Sequence, residues 1–393
     1  MDNYITSIHF TIIIIIYFKL IMNKYIILQN TWTPYRNSLF NEFQKQGLNF
    51  KVLYMSEKES DRNWKISDNI QYEYYIDNGF YKQISYFHLH FNPKIIKYII
   101  KNKNSECILG SSWNDINIII LLILKKIGFL KNIIHIWSEA NYLTIGAIKK
   151  NNIKHLFRKF ILNGIDGQYI IPGKMALITL KKWDINIKKY SLLPNTISED
   201  IFSKNEHKEV ISKNMQPTIL IVSRLNERIK GIINFLNSLG TDRINSCKIR
   251  IAGDGEDKDL INKYIIDNSY NNNIKLIGFC SYTEIIEEYL NADIFALPSY
   301  SDPSPLSVVE AIRLKKPLLL SERCGNHFEA LIVGKNGFIF DPTSKTSITN
   351  AFDSIMKNRR LWLEMGEISY NLYEKTYNRS KVVSNFIQSI KYK

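Results

Sequence analysis

Three groups of residues in this chain have the types and spacing to hold an anionic, hydroxyl-rich ligand. The first is Asp302-Pro303-Ser304-Pro305-Leu306-Ser307-Val308-Val309-Glu310, two acids with seven residues between them. An apolar run of strand length, Ala292 to Leu297, precedes it and stops at Pro298. Ser304 followed by Pro305 predicts an N-cap and a first helical position, with helix continuing from Leu306 to Lys315. The amides of Leu306 and Ser307 then open a helix beyond the end of a strand, where unpaired N–H groups and the helix dipole favour an anion, phosphate above all. Glu310 lies three residues after Ser307 on the same face. A carboxylate accepts hydrogen bonds and donates none, so it suits a pair of hydroxyls beside that phosphate better than the phosphate itself.

The second group, Ser223-Arg224-Leu225-Asn226-Glu227-Arg228-Ile229-Lys230-Gly231, follows the strand predicted at Thr218 to Val222. Arg224, with Lys230 or Arg228, makes a clamp for a diphosphate, each charge-assisted bond contributing about 1.5–3 kcal/mol when shielded from water. The third, Gly253-Asp254-Gly255-Glu256, is a turn whose two glycines let backbone approach a ligand closely. Asp257-Lys258-Asp259 has the spacing of a metal-binding acid pair, but acids opening a helix are expected from the dipole alone. No metal site is predicted.

The first half of the chain offers a different set. A strand at Lys24 to Gln29 is followed by a loop ending in Pro34-Tyr35-Arg36, and a strand at Glu106 to Gly110 by Ser111-Ser112-Trp113-Asn114-Asp115. A further apolar strand, Asn132 to Trp137, runs into Ser138-Glu139, which places Glu139 at the sheet edge where open α/β sheets bind ligands. His135 sits two residues before Trp137 and shares its side of the strand, as a core histidine or as a group facing the site.

These positions require strands that alternate with helices. The chain has 393 residues, 45% of them hydrophobic, which predicts two α/β domains rather than one. Residues 22–195 carry 25 Lys+Arg against 12 Asp+Glu, whereas residues 196–393 carry 26 against 24. The first half is thus the cationic one. Its helix at Pro93 to Lys103 sets Ile95, Ile96, Ile99 and Ile100 opposite lysines, the pattern of a helix on an anionic membrane or of a packed helix with a solvated lysine face. Lys149 to Lys159 adds to that basic surface. Cys107, Cys247, Cys280 and Cys324 show no ligand or pairing pattern and predict buried thiols in a reducing compartment. Phe10 to Phe18 is apolar but too short for a span of about twenty residues. Residues 1–21 are expected to be an extension or a misassigned start before Met22.

The two acids, the strand-loop-helix that carries them and Ala311 after them resemble the signature of retaining GT-B glycosyltransferases of the family 4 type. Asp302 stands where Glu is commoner and Pro305 where glycine is usual. The resemblance extends to Arg224-Leu225 with Lys230-Gly231, one residue later than usual, to Asn336–Pro342, to the Pro34-Tyr35-Arg36 loop and to Trp137-Ser138-Glu139. It implies an α/β GT-B fold: residues 22–200 as an acceptor-side Rossmann-like domain, 201–370 as a nucleotide-sugar domain, and 371–393 as a helix crossing back to the first. It implies that Asp302 contacts the donor sugar and Glu310 the ribose, with Ser223, Arg224, Lys230, Gly253, Gly255, Leu306 and Ser307 around the donor. Glu139, Arg36, Trp113 and His135 fall on the acceptor side, and Glu139, Asp302, Arg224 and Lys230 carry catalysis. The implied reaction moves a sugar from a UDP- or GDP-linked donor, without a metal cofactor, to a glycan or lipid-linked acceptor in cell-surface polysaccharide synthesis. The implied partners exclude nucleic acid and include an anionic membrane surface met by a cytoplasmic or inner-face peripheral protein. The same scaffold also admits a sugar-nucleotide epimerase, and the charge alone admits a basic membrane-surface protein whose binding collapses with salt.

Overall fold

The computed structural model describes residues 24–59, 66, 69–84, 87–144, 152–198 and 216–391. The extension before Met22 and most of the stretch expected as the interdomain boundary lie outside the described residues, as do Lys149 and Lys150.

The first domain is a parallel sheet of β1 (Tyr25–Gln29), β2 (Phe50–Tyr54), β3 (Glu73–Ile76), β6 (Glu106–Leu109), β7 (Ile134–Trp137), β8 (Tyr169–Ile171) and β9 (Tyr190–Leu192), in the order β3-β2-β1-β6-β7-β8-β9. Between β3 and β6, β4 (Phe80–Ile84) and β5 (Phe87–Phe91) form a separate antiparallel hairpin. The second domain repeats the plan with β10 (Thr218–Val222), β11 (Lys248–Ala252), β12 (Ile274–Gly278), β13 (Ile294–Leu297), β14 (Leu318–Ser321) and β15 (Gly337–Phe340), ordered β12-β11-β10-β13-β14-β15. Continuous apolar runs suit strands covered by helices on both faces. Ile219 and Ile221 of β10 face one core with Phe235 and Leu236, whereas Leu220 between them faces another with Val308, Val309 and Ile312. β1 divides likewise, Ile26 and Leu28 packing opposite Tyr25 and Ile27.

In each sheet the chain order reverses beside the first strand, between β1 and β6 and between β10 and β13. Loops leaving the carboxyl ends of two such strands part there and leave a crevice.

The C-terminal region forms two helices. Trp362–Thr376 stays with the second domain, where Tyr373 and Tyr377 pack with Val308 and Ile312. After a break at Tyr377-Asn378, Arg379–Lys391 lies on the first domain, with Phe386 stacked on Phe43 at 5.3 Å and Ser389 Oγ 2.8 Å from Ser191 Oγ.

Some local expectations change. Pro34-Tyr35-Arg36, expected to end a loop, instead open helix Pro34–Lys45, because Pro34 suits a first turn. Helix Pro93–Lys101 buries Ile95, Ile96 and Ile99, so its apolar face is spent on the core and only its lysine face meets solvent. Cys107, Cys247 and Cys324 are buried, Cys280 is half-buried, and all four are free thiols.

Phe386 is 1% exposed. Replacing it with alanine is expected to remove about 3–5 kcal/mol from the first domain's stability. Urea unfolding followed through tryptophan fluorescence checks this, with the first-domain transition moving to lower denaturant.

Candidate functional site

The site is assembled first from neighbouring strands of the second sheet. β10 and β13 pair in parallel, so the loops that follow them leave the same edge side by side. They are stitched together where Tyr300 N donates to Ile229 O at 2.8 Å. Gly231 has φ +61°, and a Cβ there would lie 2.8 Å from the Tyr300 ring, so the tight return of this loop needs glycine. The short helix Glu227–Lys230 is capped by Asn226, whose side chain accepts from Ile229 N at 3.0 Å. That helix delivers Lys230 Nζ to within 2.5 Å of Asp302 Oδ2, with both side chains mostly buried. Arg224 is exposed at the start of the same loop, and the Ser223 hydroxyl beside it is buried.

Gly253 and Gly255 have a packing reason of their own. A Cβ at Gly253 would fall 1.8 Å from the Ser223 carbonyl oxygen, and one at Gly255 2.3 Å from that of Leu225. Asp257 Oδ2 accepts from Glu227 N at 2.7 Å, so this acid braces the loop.

Helix Leu306–Arg313 begins one residue later than the sequence predicts: Pro305 is the N-cap, and no side chain caps the helix. Its extended backbone (φ −64°, ψ 124°) is a conformation proline favours, so the residue expected inside the first turn ends the loop instead. The first amides of a helix have no acceptor within it, and those of Leu306 and Ser307 are in this position. Glu310 is held by a residue that sequence reasoning missed: Tyr289 Oη lies 2.9 Å from Glu310 Oε2 and 2.9 Å from Ser307 O. Burial pushes the Glu310 carboxyl above its ordinary pKa, and the Tyr289 hydroxyl partly offsets this by favouring the charged form. The Tyr289 phenol is itself pushed well up, by burial and then by the Glu310 charge.

The first sheet supplies the opposite wall. Arg36 from the first turn of helix Pro34–Lys45 pairs with Glu139 from the loop after β7, and its guanidinium lies over the Trp137 ring at 3.8 Å. Arg36 is 5% exposed, so Glu139 neutralises a cation that has little water. His135 does not reach the site and is corrected to a core residue. Its Nε2 is 2.9 Å from Glu106 Oε2, and its Nδ1 accepts from Gln168 N at 3.3 Å, which closes both ring nitrogens inside the sheet.

Two cavities flank these groups. One of about 450 Å³ in the first domain is lined by Arg36, Trp113, Trp137, Glu139 and Trp183, and Pro303 of the second domain reaches its wall. The other, about 410 Å³, lies between the domains, with Tyr35 and Ser198 on one side and Tyr282, Leu306 and Glu310 on the other. Across the cleft Asn141 Nδ2 donates to Arg323 O at 3.0 Å, and Lys174 N to Glu329 Oε1 at 2.7 Å. Burial raises the Glu329 pKa, and the Lys174 amide opposes that rise. Both carboxyl edges thus face one cleft. Among the described residues no group of three or more His, Cys, Asp or Glu could hold a metal ion.

Residues 202–372 match the family model described as "Glycosyl transferases group 1". The match falls on the second domain and covers less than half of the chain. Over 205 residues the chain is 24% identical to the alpha-monoglucosyldiacylglycerol synthase of Acholeplasma laidlawii, covering 47% of this chain and 50% of that protein. Over 195 residues it is 23% identical to a Campylobacter jejuni N,N'-diacetylbacillosaminyl-diphospho-undecaprenol alpha-1,3-N-acetylgalactosaminyltransferase, 49% and 48% of the two chains. The chain therefore spans about half the length of these curated relatives. The crystal structure of Anabaena HepE in complex with UDP and glucose superposes with a TM-score of 0.67 at 12% identity, over 94% of this chain and 100% of that one. The fold is accordingly GT-B, two Rossmann-like domains facing a cleft.

Within the matched segment the structure brings Lys230, Asp302, Leu306, Ser307 and Glu310 to one sheet edge, with Arg224 at the start of the loop that carries Lys230. Trp137 and Tyr289 escaped sequence reasoning because an aromatic residue in an apolar strand or helix reads as core. Only the charge packed against each shows its second role.

NMR titration with carboxyl-labelled glutamate is expected to place the Glu310 pKa above the ordinary glutamate range. In Tyr289→Phe, which loses the bond favouring the charged form, it should rise further. An unchanged value in that variant would remove Tyr289 from the site.

Proposed function

We propose that this protein is a glycosyltransferase that moves a sugar from a nucleotide-sugar donor to a glycan or lipid-linked acceptor, with retention at the anomeric carbon, in cell-surface glycolipid or polysaccharide synthesis. The observation that carries the reading is the Lys230–Asp302 pair, set beside an uncapped helix N-terminus on one wall of the cleft, opposite the Arg36–Glu139 pair. A diphosphate entering there meets Arg224, Lys230 and the amides of Leu306 and Ser307. Charge developing on the departing phosphate would be stabilised by groups already in place, without calling on a metal. Lys230 already has a carboxylate partner, so donor binding exchanges one anion for another rather than desolvating a bare cation. Asp302, released from Lys230, can then accept from a donor-sugar hydroxyl, while Glu310 accepts from the ribose. Glu139 turns toward the acceptor hydroxyl, its orientation kept by Arg36. UDP or GDP is the nucleotide class proposed.

The donor residues are tested by turnover of isotope-labelled sugar nucleotide. An Arg224→Ala, Glu310→Ala double variant is expected to lose at least about 10²-fold in rate. Wild-type turnover in that variant would exclude the assignment, and donor consumption at the full rate without acceptor would replace transfer by epimerisation.

The proposal includes an anionic membrane surface, at a different helix from the one the sequence suggests. No helix among the described residues is long and apolar enough to cross a membrane. Helix Asn152–Leu162, however, leaves Ile153 80%, Leu156 63% and Phe160 58% exposed, with Lys154, Arg158 and Lys159 among them. Nearby Ile127 is 69% and Phe129 60% exposed, and Lys126 Nζ lies 5.3 Å from the Phe160 ring centre. Apolar side chains interleaved with cations match the boundary between headgroups and acyl chains, which supports the reading of a peripheral protein on the inner face of the membrane. Co-sedimentation with phosphatidylglycerol vesicles is expected to weaken with salt and to drop several-fold in Leu156→Ser, Phe160→Ser. Equal binding by that variant would remove this helix from the contact.

A further inference from the structure

The cavity in the first domain is lined by three cations, Arg36, Lys154 and Arg158, against one carboxylate, Glu139. Its buried polar groups without a partner include the Thr33 and Ser111 hydroxyls, which can donate or accept, and three groups that can only donate. Arg36 Nη1, Trp137 Nε1 and Arg158 Nε are buried, and among the described residues none has a hydrogen-bond partner. These three can only donate, whatever their rotamer. Two acceptors along the wall are engaged: Glu139 Oε1 by Arg36, and Asn141 Oδ1 by Leu143 N at 2.9 Å. Buried donors without acceptors are costly, so the arrangement calls for a guest rich in acceptor oxygens.

The charged end of the cavity is built around two indoles. The Arg158 guanidinium lies 3.8 Å over Trp183 and 5.6 Å from the Trp113 ring, with Nη2 3.2 Å from His155 Nδ1. Lys154, one turn earlier on the same helix, places Nζ 5.7 Å from Trp113. Indole faces orient a guanidinium and exclude water from it, but supply no negative charge to compensate it. Burial lowers the Arg158 pKa, so an anion on this end would be stabilised more than at an open surface.

We infer that this cavity selects an acceptor carrying an oxyanion, such as a phosphate monoester or diester, seated on Arg158 and Lys154 while its reacting hydroxyl turns toward Glu139. The inference rests on the acceptor-side reading proposed above and narrows it from any glycan or lipid-linked acceptor to a phosphorylated one. Two sources carry that chemistry: a membrane lipid headgroup, reached through the exposed helix that bears both cations, or a free phosphorylated sugar or polyol.

Isothermal titration with the full chain, in saturating UDP so that the donor side is occupied, separates the cases. Dodecyl phosphate below its micellar concentration, glycerol 3-phosphate and neutral dodecyl maltoside serve as probes. At least one phosphate is expected to bind, roughly tenfold or more tighter than the maltoside, and to weaken about tenfold in Arg158→Gln or Lys154→Gln, with partial recovery in Arg158→Lys. Binding of dodecyl phosphate alone assigns the membrane headgroup, and binding of both assigns the phosphate itself. Lys154 is exposed, so Lys154→Gln still decides if Arg158→Gln does not fold. The inference is overturned if neither phosphate binds, if the maltoside binds equally well, or if Lys154→Gln binds like the wild type. Should neither UDP nor GDP bind the wild type, the donor reading fails instead, and the same probes without nucleotide still report on the cavity.

Discussion

The site depends on one pairing of backbones. β10 and β13 are adjacent although some seventy residues separate them in the chain, because β11 and β12 were laid down on the other side of β10. That order brings a loop of cations beside a loop that ends in a helix N-terminus, and it makes the Lys230–Asp302 contact possible at all. An exposed ion pair would contribute little, but this one is mostly shielded, so each partner keeps the other's charge tolerable in a space neither would occupy alone. Asp302 also sits in a bridge with Cys324 after β14, and Gly325 N donates to Asp302 O at 2.8 Å. Three consecutive strands of the sheet thereby fix the position of one carboxylate.

The first domain solves a similar problem with different means. Arg36 is buried, and a guanidinium without water needs either an anion or an aromatic face. It has both, Glu139 and Trp137. The pair leaves Glu139 partly exposed to the cavity while its partner is enclosed, so the carboxylate is oriented from behind and open in front. A glutamate held this way keeps its direction without a fixed hydrogen bond on the ligand side, which a group facing variable hydroxyls requires.

Most of this was legible from residue order. Apolar runs located β1, β10 and β13, and the acids at Asp302 and Glu310 marked the turn into the helix after β13, because a parallel strand and the loop at its end have short-range signatures. His135 was not legible. Its spacing from Trp137 is right for one side of a strand, but Glu106, which closes its ring, lies 29 residues away on a neighbouring strand. The choice between the basic helices was not legible for the same reason: Pro93–Lys101 reads as basic and amphipathic and Lys149–Lys159 as basic surface, and only tertiary packing decides that the first spends its apolar face on the core while Ile153, Leu156 and Phe160 stay exposed. The hairpin of β4 and β5 came from a stretch rich in Tyr, Phe and Asn, where strands that pair only with each other carry little alternation.

What joins the halves constrains how they can move. Across the cleft the contacts named above are polar, Asn141 on the Arg323 carbonyl and Glu329 on the Lys174 amide, and such contacts are readily exchanged for water. The C-terminal helix is different, since Val383, Phe386 and Ile390 are buried against the first domain and cannot leave it without exposing apolar surface. The helix before it is equally fixed to the second domain through Tyr373. Any opening of the cleft therefore keeps Arg379–Lys391 with the first domain and concentrates the backbone change at Tyr377-Asn378, where the two helices break. A carboxylate such as Glu329, raised by burial against an amide of the other domain, gains solvation when the halves part and loses it when they close. Closure consequently has an electrostatic cost at this point, and an anion held at Lys230 and the helix N-terminus by the second domain alone would supply no compensation for it. Contacts that bridge the cleft must do so, and the groups placed to make them are those whose cavities draw walls from both domains, Pro303 beside Glu139 and Tyr35 beside Glu310.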